Sequence, residues 1–193
     1  GPMDIVISGA AGNFLAPALG MSANAFRTVV DIDLNGTFNV FRGCYDLLNR
    51  PGASLIAITA GQAVNASALQ AHACAAKAGI NQLIRVLALE WGPDVRVNGI
   101  SPGPIAGTEG MARLAPDAET RQSHFDRIAM KRWGEVEEVA ESAVFLCSPA
   151  AGYITGTILD CDGGSQIGDA SRGDLTKGMA WKQKARATQK AGG

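Results

Sequence analysis

Residues 72–105, HACAAKAGINQLIRVLALEWGPDVRVNGISPGPI, decide the fold of this chain. The first part of the stretch carries apolar residues at helical spacing, and one lysine, Lys77, stands near its start. The sequence VRVNGIS then reads as a short buried strand, and the turn-forming run Ser-Pro-Gly-Pro-Ile follows its last apolar position. A helix that leads directly into such a strand predicts one unit of a parallel α/β sheet.

The alternation of strands and helices continues on both sides of this stretch. Ser22 is expected to cap the helix after it, because a serine hydroxyl accepts a hydrogen bond from the first helical turn. The polar, irregular residues 107–125 predict a mobile loop with one short helix. We expect a doubly wound parallel sheet of the Rossmann type, with strands at 4–8, 53–60, 95–101 and 156–164 and helices at 22–49, 71–91 and 136–149.

Length and composition indicate one globular domain. Of the 193 residues, 47% are hydrophobic, which is enough to bury one core. No apolar run approaches the roughly 18 residues of a spanning helix, and no secretory pattern is present, so we expect a cytoplasmic protein with no membrane partner. The four cysteines lack Cys-x-x-Cys spacing, so we expect neither a disulfide framework nor a metal site.

The charge is unevenly distributed along the chain. Residues 175–193 contain four lysines, one arginine and no acidic residue, although the whole chain has a net charge of −1. Spaced charges among alanines and glycines are typical of a solvated terminus rather than of a nucleic-acid-binding segment. We therefore predict a domain at 1–167 and a basic, mobile tail at 168–193, with no nucleic-acid partner.

The glycine-rich turn of a dinucleotide-binding domain does not occur in this sequence. Such a turn lets the backbone approach a pyrophosphate at a helix N-terminus. Neither G-x-G-x-x-G nor the related G-x-x-x-G-x-G is present. The sequence begins at what reads as the middle of a nucleotide-binding domain, so we expect an open sheet edge at strand 4–8.

Five segments carry a resemblance to a known family. They are SGAAGNF (8–14), DIDLNGTFNVFR (31–42), ALQAHACAAKAG (68–79), ALEWGPDVRVNGISPGPIAGTEG (88–110) and GYITGTILDCDGG (152–164). Residues 1 to about 167 resemble the short-chain dehydrogenase/reductases, most specifically the peroxisomal-type 2,4-dienoyl-CoA reductases and their bacterial relatives. The resemblance implies a Rossmann-type fold whose N-terminal part is missing, about 80 residues that form two or three strand-helix units.

Two polar residues of the family's usual catalytic set are replaced in this sequence. The family places a tyrosine four residues before its lysine, where this chain has Ala73 before Lys77, and no Tyr-x-x-x-Lys occurs anywhere in the chain. Ala60 stands thirteen residues before Ala73, where carbonyl-reducing members keep a serine. Asp33 occupies the position of a structural asparagine, as in the 2,4-dienoyl-CoA reductase subgroup.

These replacements suit the reduction of a conjugated thioester. A carbonyl reductase protonates an alkoxide and needs a phenol beside the oxygen, whereas a dienoyl thioester needs hydrogen-bond donors at its oxygen and a proton at carbon. The resemblance implies reduction of a 2,4-dienoyl-CoA with NADPH, NADH not being excluded, as in fatty acid β-oxidation. It also implies an acyl-CoA substrate and a homotetramer in which helices 22–49 and 71–91 pack across an interface.

The resemblance implies roles for individual residues. Lys77 and Asp33 are the expected catalytic residues; the alternatives are a solvated helix lysine and a helix-surface acid beside Asp31. His72 either points into the substrate cleft or is a helix-start histidine satisfied by backbone. The expected cofactor-binding residues are Ser8, Gly9, Ala10, Lys77, Pro102, Gly103, Ile105 and Thr108, and the expected substrate-binding residues are Asn13, Phe14, Ala60, His72 and Ala73.

Two other functions remain open at this point. One is a different reductase on the same fold, such as a 3-oxoacyl-type dehydrogenase, which the absent tyrosine makes less favourable. The other is a non-catalytic, truncated subunit that binds no cofactor, which the absent glycine-rich turn favours.

Overall fold

The computed structural model describes residues 1–172, so most of the predicted tail lies outside the described residues. It contains a four-stranded parallel sheet of order β1-β2-β3-β4. The strands are β1 (Ile5–Ser8), β2 (Ala53–Ile58), β3 (Val95–Pro102) and β4 (Ile158–Cys161). All four lie within the predicted strand ranges or one residue beyond them, and the predicted fold class is confirmed.

Six α-helices connect or flank these strands in the described residues. They are α1 (Ala23–Val30), α2 (Gly36–Cys44), α3 (Ala71–Trp91), α4 (Glu109–Leu114), α5 (Ala118–Arg127) and α6 (Val136–Cys147). A π-helical segment, Asp31–Asn35, joins α1 to α2 without a break. The predicted Ser22 cap is confirmed, since its hydroxyl accepts a hydrogen bond from the backbone N–H of Ala25 at 3.1 Å.

Two of the predicted helix assignments are wrong. The helix expected to reach residue 49 ends at Cys44 and continues only as a short 3₁₀ turn, because Leu48 has extended backbone and pairs with Met3 ahead of β1. The stretch 107–125 holds parts of two helices, α4 and α5, instead of one. Pro116 separates the two, because it disfavours helical backbone at the residue before it.

The described chain forms two compact units. The first, Gly1–Ala106 with Gly134–Asp162, contains the sheet and helices α1, α2, α3 and α6. The second comprises Gly107–Trp133 and the segment that begins at Gly163, and it contains α4 and α5. Within residues 1–172, no helix has both the length and the apolar character needed to cross a bilayer.

The core of the first unit lies on both faces of the sheet. Alternate residues of β2 point to opposite faces, so Leu55 joins one apolar cluster and Ile56 joins the other. The first cluster includes Phe41 of α2 and Ile84 of α3, and the second includes Leu146 of α6. Helices on both faces are the arrangement that a parallel sheet requires to bury its apolar strands.

The helices of the second unit have polar caps. Thr108 and Asp117 are the N-caps of α4 and α5, and Asp117 Oδ1 accepts a hydrogen bond from the backbone N–H of Thr120 at 2.7 Å. That bond lowers the pKa of the exposed Asp117 carboxyl. Each helix therefore begins at a residue whose side chain satisfies its first turn.

Gly103 lies where β3 approaches β4 too closely for a side chain. A Cβ atom on Gly103 would stand 2.6 Å from the Cα of Asp162, and the Gly103 N–H donates to the Cys161 carbonyl at 3.0 Å. We expect Gly103→Ala to lower the free energy of unfolding by about 1–3 kcal/mol, the usual cost of overpacking. Urea unfolding followed by circular dichroism measures this change.

Gly43→Ala is the matched control. A Cβ at Gly43, inside α2, meets nothing within 4 Å, so this substitution should leave stability unchanged or raise it by up to about 1 kcal/mol. Equal effects of the two substitutions would contradict the close approach of the strands.

Candidate active site

The π-helical segment turns a carboxylate into the interior of the first unit. Asp33 lies in the middle of this segment and is only 1% exposed. The Thr37 hydroxyl donates to the Asp33 backbone carbonyl at 2.7 Å, and the Ser8 hydroxyl donates to Thr37 Oγ1 at 3.3 Å. These bonds fasten the segment to the end of β1. π-Helical turns inside α-helices are frequent at functional sites, where they redirect a side chain.

Asp33 forms a buried ion pair with Lys77 of α3. Lys77 Nζ lies 3.2 Å from Asp33 Oδ2, in a contact that lacks the angular geometry of a hydrogen bond. The same ammonium donates to the Ile58 carbonyl at the end of β2, also at 3.2 Å. Asp33 Oδ1 accepts a bond of 2.7 Å from the Gly12 N–H. The pair thus connects the end of β2, the loop after β1 and two helical elements.

Burial shows that the two charges belong together. The side chain of Lys77 is 10% exposed and that of Asp33 is 1% exposed. A buried charge without a partner is expensive, and an ion pair with additional hydrogen bonds offsets that cost. A solvated helix lysine and a helix-surface acid, the two alternatives for these residues, are therefore both wrong.

The pair lies where the carboxyl ends of parallel strands meet. Ser8 ends β1, Ile58 ends β2 and Pro102 ends β3. Ligands of open α/β sheets bind in the crevice outside these strand ends. The pair therefore lies at the edge of the sheet where ligand sites of this architecture are found.

The predicted cofactor residues lie partly in this region. Pro102, Gly103 and Ile105 follow one another at the end of β3, where Ile105 also bridges to Gly134. Thr108 belongs to the second unit, where its hydroxyl accepts from the Met111 N–H at 3.4 Å.

Three other predicted cofactor residues lie at the end of β1 (Ser8) or directly after it (Gly9 and Ala10). The Ser8 side chain is buried and already donates to Thr37, whereas Gly9 and Ala10 are exposed. The exposed backbone of Gly9 and Ala10 is thus the part of this segment that is open to a ligand.

The loop after β1 joins the ion pair to the start of α3. Gly12 contacts Asp33, and the side-chain amide of Asn13 donates to Gln70 Oε1 at 2.7 Å. The ring of Phe14 lies 4.3 Å from the ring of His72, centroid to centroid. The predicted substrate residues Asn13, Phe14 and His72 are therefore brought together.

The two alanines leave the site without the usual polar groups. Ala73 is 4% exposed on the first turn of α3, and Ala60 lies in extended backbone before the 3₁₀ turn Gly61–Ala63. That turn packs against α3. Neither residue can donate a hydrogen bond from its side chain, so the first unit offers no phenol or serine hydroxyl at these two positions.

Some site features were not identified from the sequence. The position of Thr37 four residues after Asp33, on the same helical face, is a signal that could have indicated its contact. The contact of the Gly12 amide has no such signal, because it depends on how the loop folds back.

A cavity in the second unit was also missed. It has a volume of about 470 Å³, and its lining includes Arg121 and Trp133. The Arg121 guanidinium lies 5.8 Å from the centre of the Trp133 ring. No motif in the sequence distinguishes these two residues.

Comparison with known proteins relates this chain to reductases and dehydrogenases. The family model described as Enoyl-(Acyl carrier protein) reductase, of the short-chain dehydrogenase type, matches residues 1–166. A peroxisomal 2,4-dienoyl-CoA reductase, (3E)-enoyl-CoA-producing, from Pongo abelii is 46% identical over 169 residues. The alignment covers 86% of this chain and 58% of the relative, so the chain spans less than two thirds of that protein's length.

Solved structures show the same similarity. A short-chain dehydrogenase from Bacillus anthracis is 36% identical with a TM-score of 0.72, covering 84% of this chain and 64% of that one. A protein from Agrobacterium tumefaciens assigned as a 2-deoxy-D-gluconate 3-dehydrogenase, with bound NADP, is 29% identical with a TM-score of 0.79. That alignment covers 85% of this chain and 68% of the other.

The buried pair predicts a characteristic pattern of stability. Lys77→Met leaves the Asp33 carboxylate buried without a cation and should lower the free energy of unfolding by about 3–5 kcal/mol. Adding Asp33→Asn, which removes the unpaired charge and keeps an acceptor for Gly12, should restore about 1–3 kcal/mol of that loss. Chemical denaturation of the variants gives both values.

The control for this cycle is Asp31→Asn in the Lys77→Met background. Asp31 is exposed and contacts Asn35, so its neutralisation should restore nothing. Recovery with Asp31→Asn equal to that with Asp33→Asn would show that only overall charge matters.

Proposed function

Because the chain belongs to the short-chain dehydrogenase/reductase family, we propose that the protein is an NADPH-dependent reductase of 2,4-dienoyl-CoA thioesters. The observation that carries this proposal is the buried Asp33–Lys77 pair in a site where Ala60 and Ala73 replace the usual polar residues. The name of the Pongo abelii relative, a 2,4-dienoyl-CoA reductase that produces (3E)-enoyl-CoA, supports the substrate class.

The residues at the strand ends fit a nicotinamide cofactor. The Lys77 ammonium has three N–H donors. It faces Asp33 in the ion pair and donates one hydrogen bond to Ile58, so a donor remains for a ribose hydroxyl. Gly103 brings the backbone of 102–105 close to β4, and the exposed backbone of Gly9 and Ala10 follows β1.

In this proposal Pro102, Gly103 and Ile105 hold the nicotinamide amide. The role of Thr108 near the phosphates, which the resemblance implies, stays a prediction. Ser8, Gly9, Ala10 and Lys77 complete the cofactor site. The bound cofactor supplies the hydride. NADP is the proposed form, and the NADP complex of the Agrobacterium tumefaciens structure supports this choice.

Asp33 and Lys77 have separate roles in the proposed reaction. Negative charge collects on the thioester oxygen when hydride reaches the remote end of the conjugated system, and a proton must then reach carbon. Asp33 Oδ2 carries no hydrogen bond and can orient a proton-donating water, while Lys77 Nζ, 3.2 Å away, holds the carboxylate in place. A proton delivered to carbon needs no phenol beside the thioester oxygen, which accounts for Ala73.

The acyl chain is proposed to lie along the loop after β1 and the start of α3. Asn13, Phe14, Ala60 and Ala73 are the proposed contacts. Phe14 is 40% exposed and offers an apolar ring to a ligand. The small side chain of Ala73 leaves space where carbonyl-reducing members place a tyrosine. A cleft lined by an aromatic ring and small residues suits an extended hydrocarbon.

The proposed assembly is a homotetramer that uses α1, α2 and α3. Apolar side chains on these helices are exposed in the single chain, among them Phe38 of α2, at 44%, and Leu89 of α3, at 85%. Exposed apolar residues on two adjacent helices support an interface between copies. The cytoplasmic location expected from the sequence stays a prediction.

Activity tests the proposed chemistry. The full-length protein with NADPH should consume a 2,4-dienoyl-CoA, measured by both nicotinamide absorbance and loss of the dienoyl chromophore. Asp33→Asn should lower kcat by about 10²–10⁴-fold, the usual contribution of acid-base catalysis, and Lys77→Ala should abolish turnover. Asp31→Asn, on the exposed side of the same segment, should leave the rate unchanged.

Two experimental results would contradict the proposed function and favour a different one. Turnover of a 3-oxoacyl-CoA without turnover of the dienoyl substrate would favour a 3-oxoacyl-type dehydrogenase. Absence of both turnover and NADPH binding would favour a non-catalytic subunit.

Oligomeric state tests the proposed interface. Light scattering should give a mass about four times that of one chain, as expected for a tetramer of closed symmetry. Phe38→Glu places a charge at the proposed interface and should reduce the measured mass. Val64→Glu, at an apolar residue that is 75% exposed and lies outside these helices, should not; a tetramer that survives Phe38→Glu would exclude this interface.

A further inference from the structure

His72 is buried without a hydrogen-bond partner. Its side chain is 0% exposed on the first turn of α3, and neither Nδ1 nor Nε2 has a partner among the described residues. The alternative of a histidine satisfied by backbone is therefore wrong. A buried imidazole with two unpaired nitrogens costs stability, and such groups persist mainly where function uses them.

Other polar side chains on α3, at its N-cap and beside it already have partners. Gln70 Oε1 accepts from Asn13 and from Gln62 at 2.7 and 3.4 Å. The Thr59 hydroxyl donates to Asn81 Oδ1 at 2.7 Å. Unlike these side chains, His72 has unpaired polar atoms, so its hydrogen-bonding capacity is available to a ligand.

An aromatic ring covers His72. The centroid of the Phe14 ring lies 4.3 Å from that of the imidazole, with the planes inclined by 55°. Phe14 is itself 40% exposed and belongs to the loop in which Gly12 holds Asp33. One loop therefore covers the imidazole and contacts the catalytic pair, which places His72 beside the proposed acyl site.

We propose that His72 donates a hydrogen bond to the carbonyl oxygen of the bound thioester once the acyl group displaces the Phe14 ring. This inference rests on the proposed acyl-CoA function. A neutral imidazole always carries one N–H, so it can act as the donor. It would supply, from the residue beside Ala73, the contact to oxygen that neither Ala60 nor Ala73 can make. His72 is thereby a substrate-binding residue that selects for the thioester group.

The experiment compares two ligands that differ only at this oxygen. Calorimetry on the full-length protein with NADP measures the Kd of a saturated acyl-CoA and of the S-alkyl-CoA thioether of equal chain length, which lacks the carbonyl. The wild-type protein should prefer the thioester about tenfold, the value of one net hydrogen bond. His72→Phe should reduce the preference to about one, because both ligands then bind without that bond.

Two further variants separate a binding role from a structural one. His72→Gln keeps a side-chain donor and should retain part of the preference. His124→Phe changes the other histidine of the chain and should retain all of it. The thermal midpoint of His72→Phe should not fall, since the substitution removes two unsatisfied polar atoms. A structural histidine would show a lower midpoint instead.

The outcomes distinguish this inference from the function on which it depends. If His72→Phe binds both ligands and keeps the tenfold preference, the role of His72 is overturned and the reductase proposal stands. If the wild-type protein binds neither ligand, the acyl-CoA function fails and the role of His72 fails with it.

Discussion

The ion pair between Lys77 and Asp33 is the interaction on which the rest of the site depends. Its charges are buried, so they must be compensated, and the compensation comes from parts of the chain that are distant in sequence. The Gly12 amide and the Ile58 carbonyl complete the pair, and each lies at or just beyond the end of a different strand. The pair therefore fixes the geometry of the loop after β1, the end of β2 and the helix α3 relative to one another.

The π-helical segment explains how a helix can present this carboxylate inward. An ordinary α-helix through residues 23–44 keeps its backbone bonds, whereas the segment Asp31–Asn35 widens one turn and is tied to β1 through Thr37. The local conformation is thus stabilised by contacts made elsewhere.

The site also lacks two polar side chains that carbonyl-reducing members of the family have. Ala60 and Ala73 offer no side-chain donor at the positions where carbonyl-reducing members of the family carry a serine and a tyrosine. His72 is the one buried side chain there whose polar atoms remain unpaired within residues 1–172, apart from one oxygen of Asp33. The buried Asp33–Lys77 pair and the unpaired imidazole of His72 are thus linked by the loop after β1.

By itself, the sequence determined the elements and the list of candidate residues. Short apolar runs located the strands, helical spacing located α3 and the start of α6, and the serine cap located the start of α1. Local pattern could not show that residues 31–35 form a π-helix, that residues 107–125 contain parts of two helices, or that Gly12 would bind Asp33. Those features depend on contacts between residues far apart in the chain. Only the tertiary structure decided that Asp33 rather than Asp31 is buried, and that His72 is covered and unpaired, because burial and pairing are set by packing and not by neighbours in sequence.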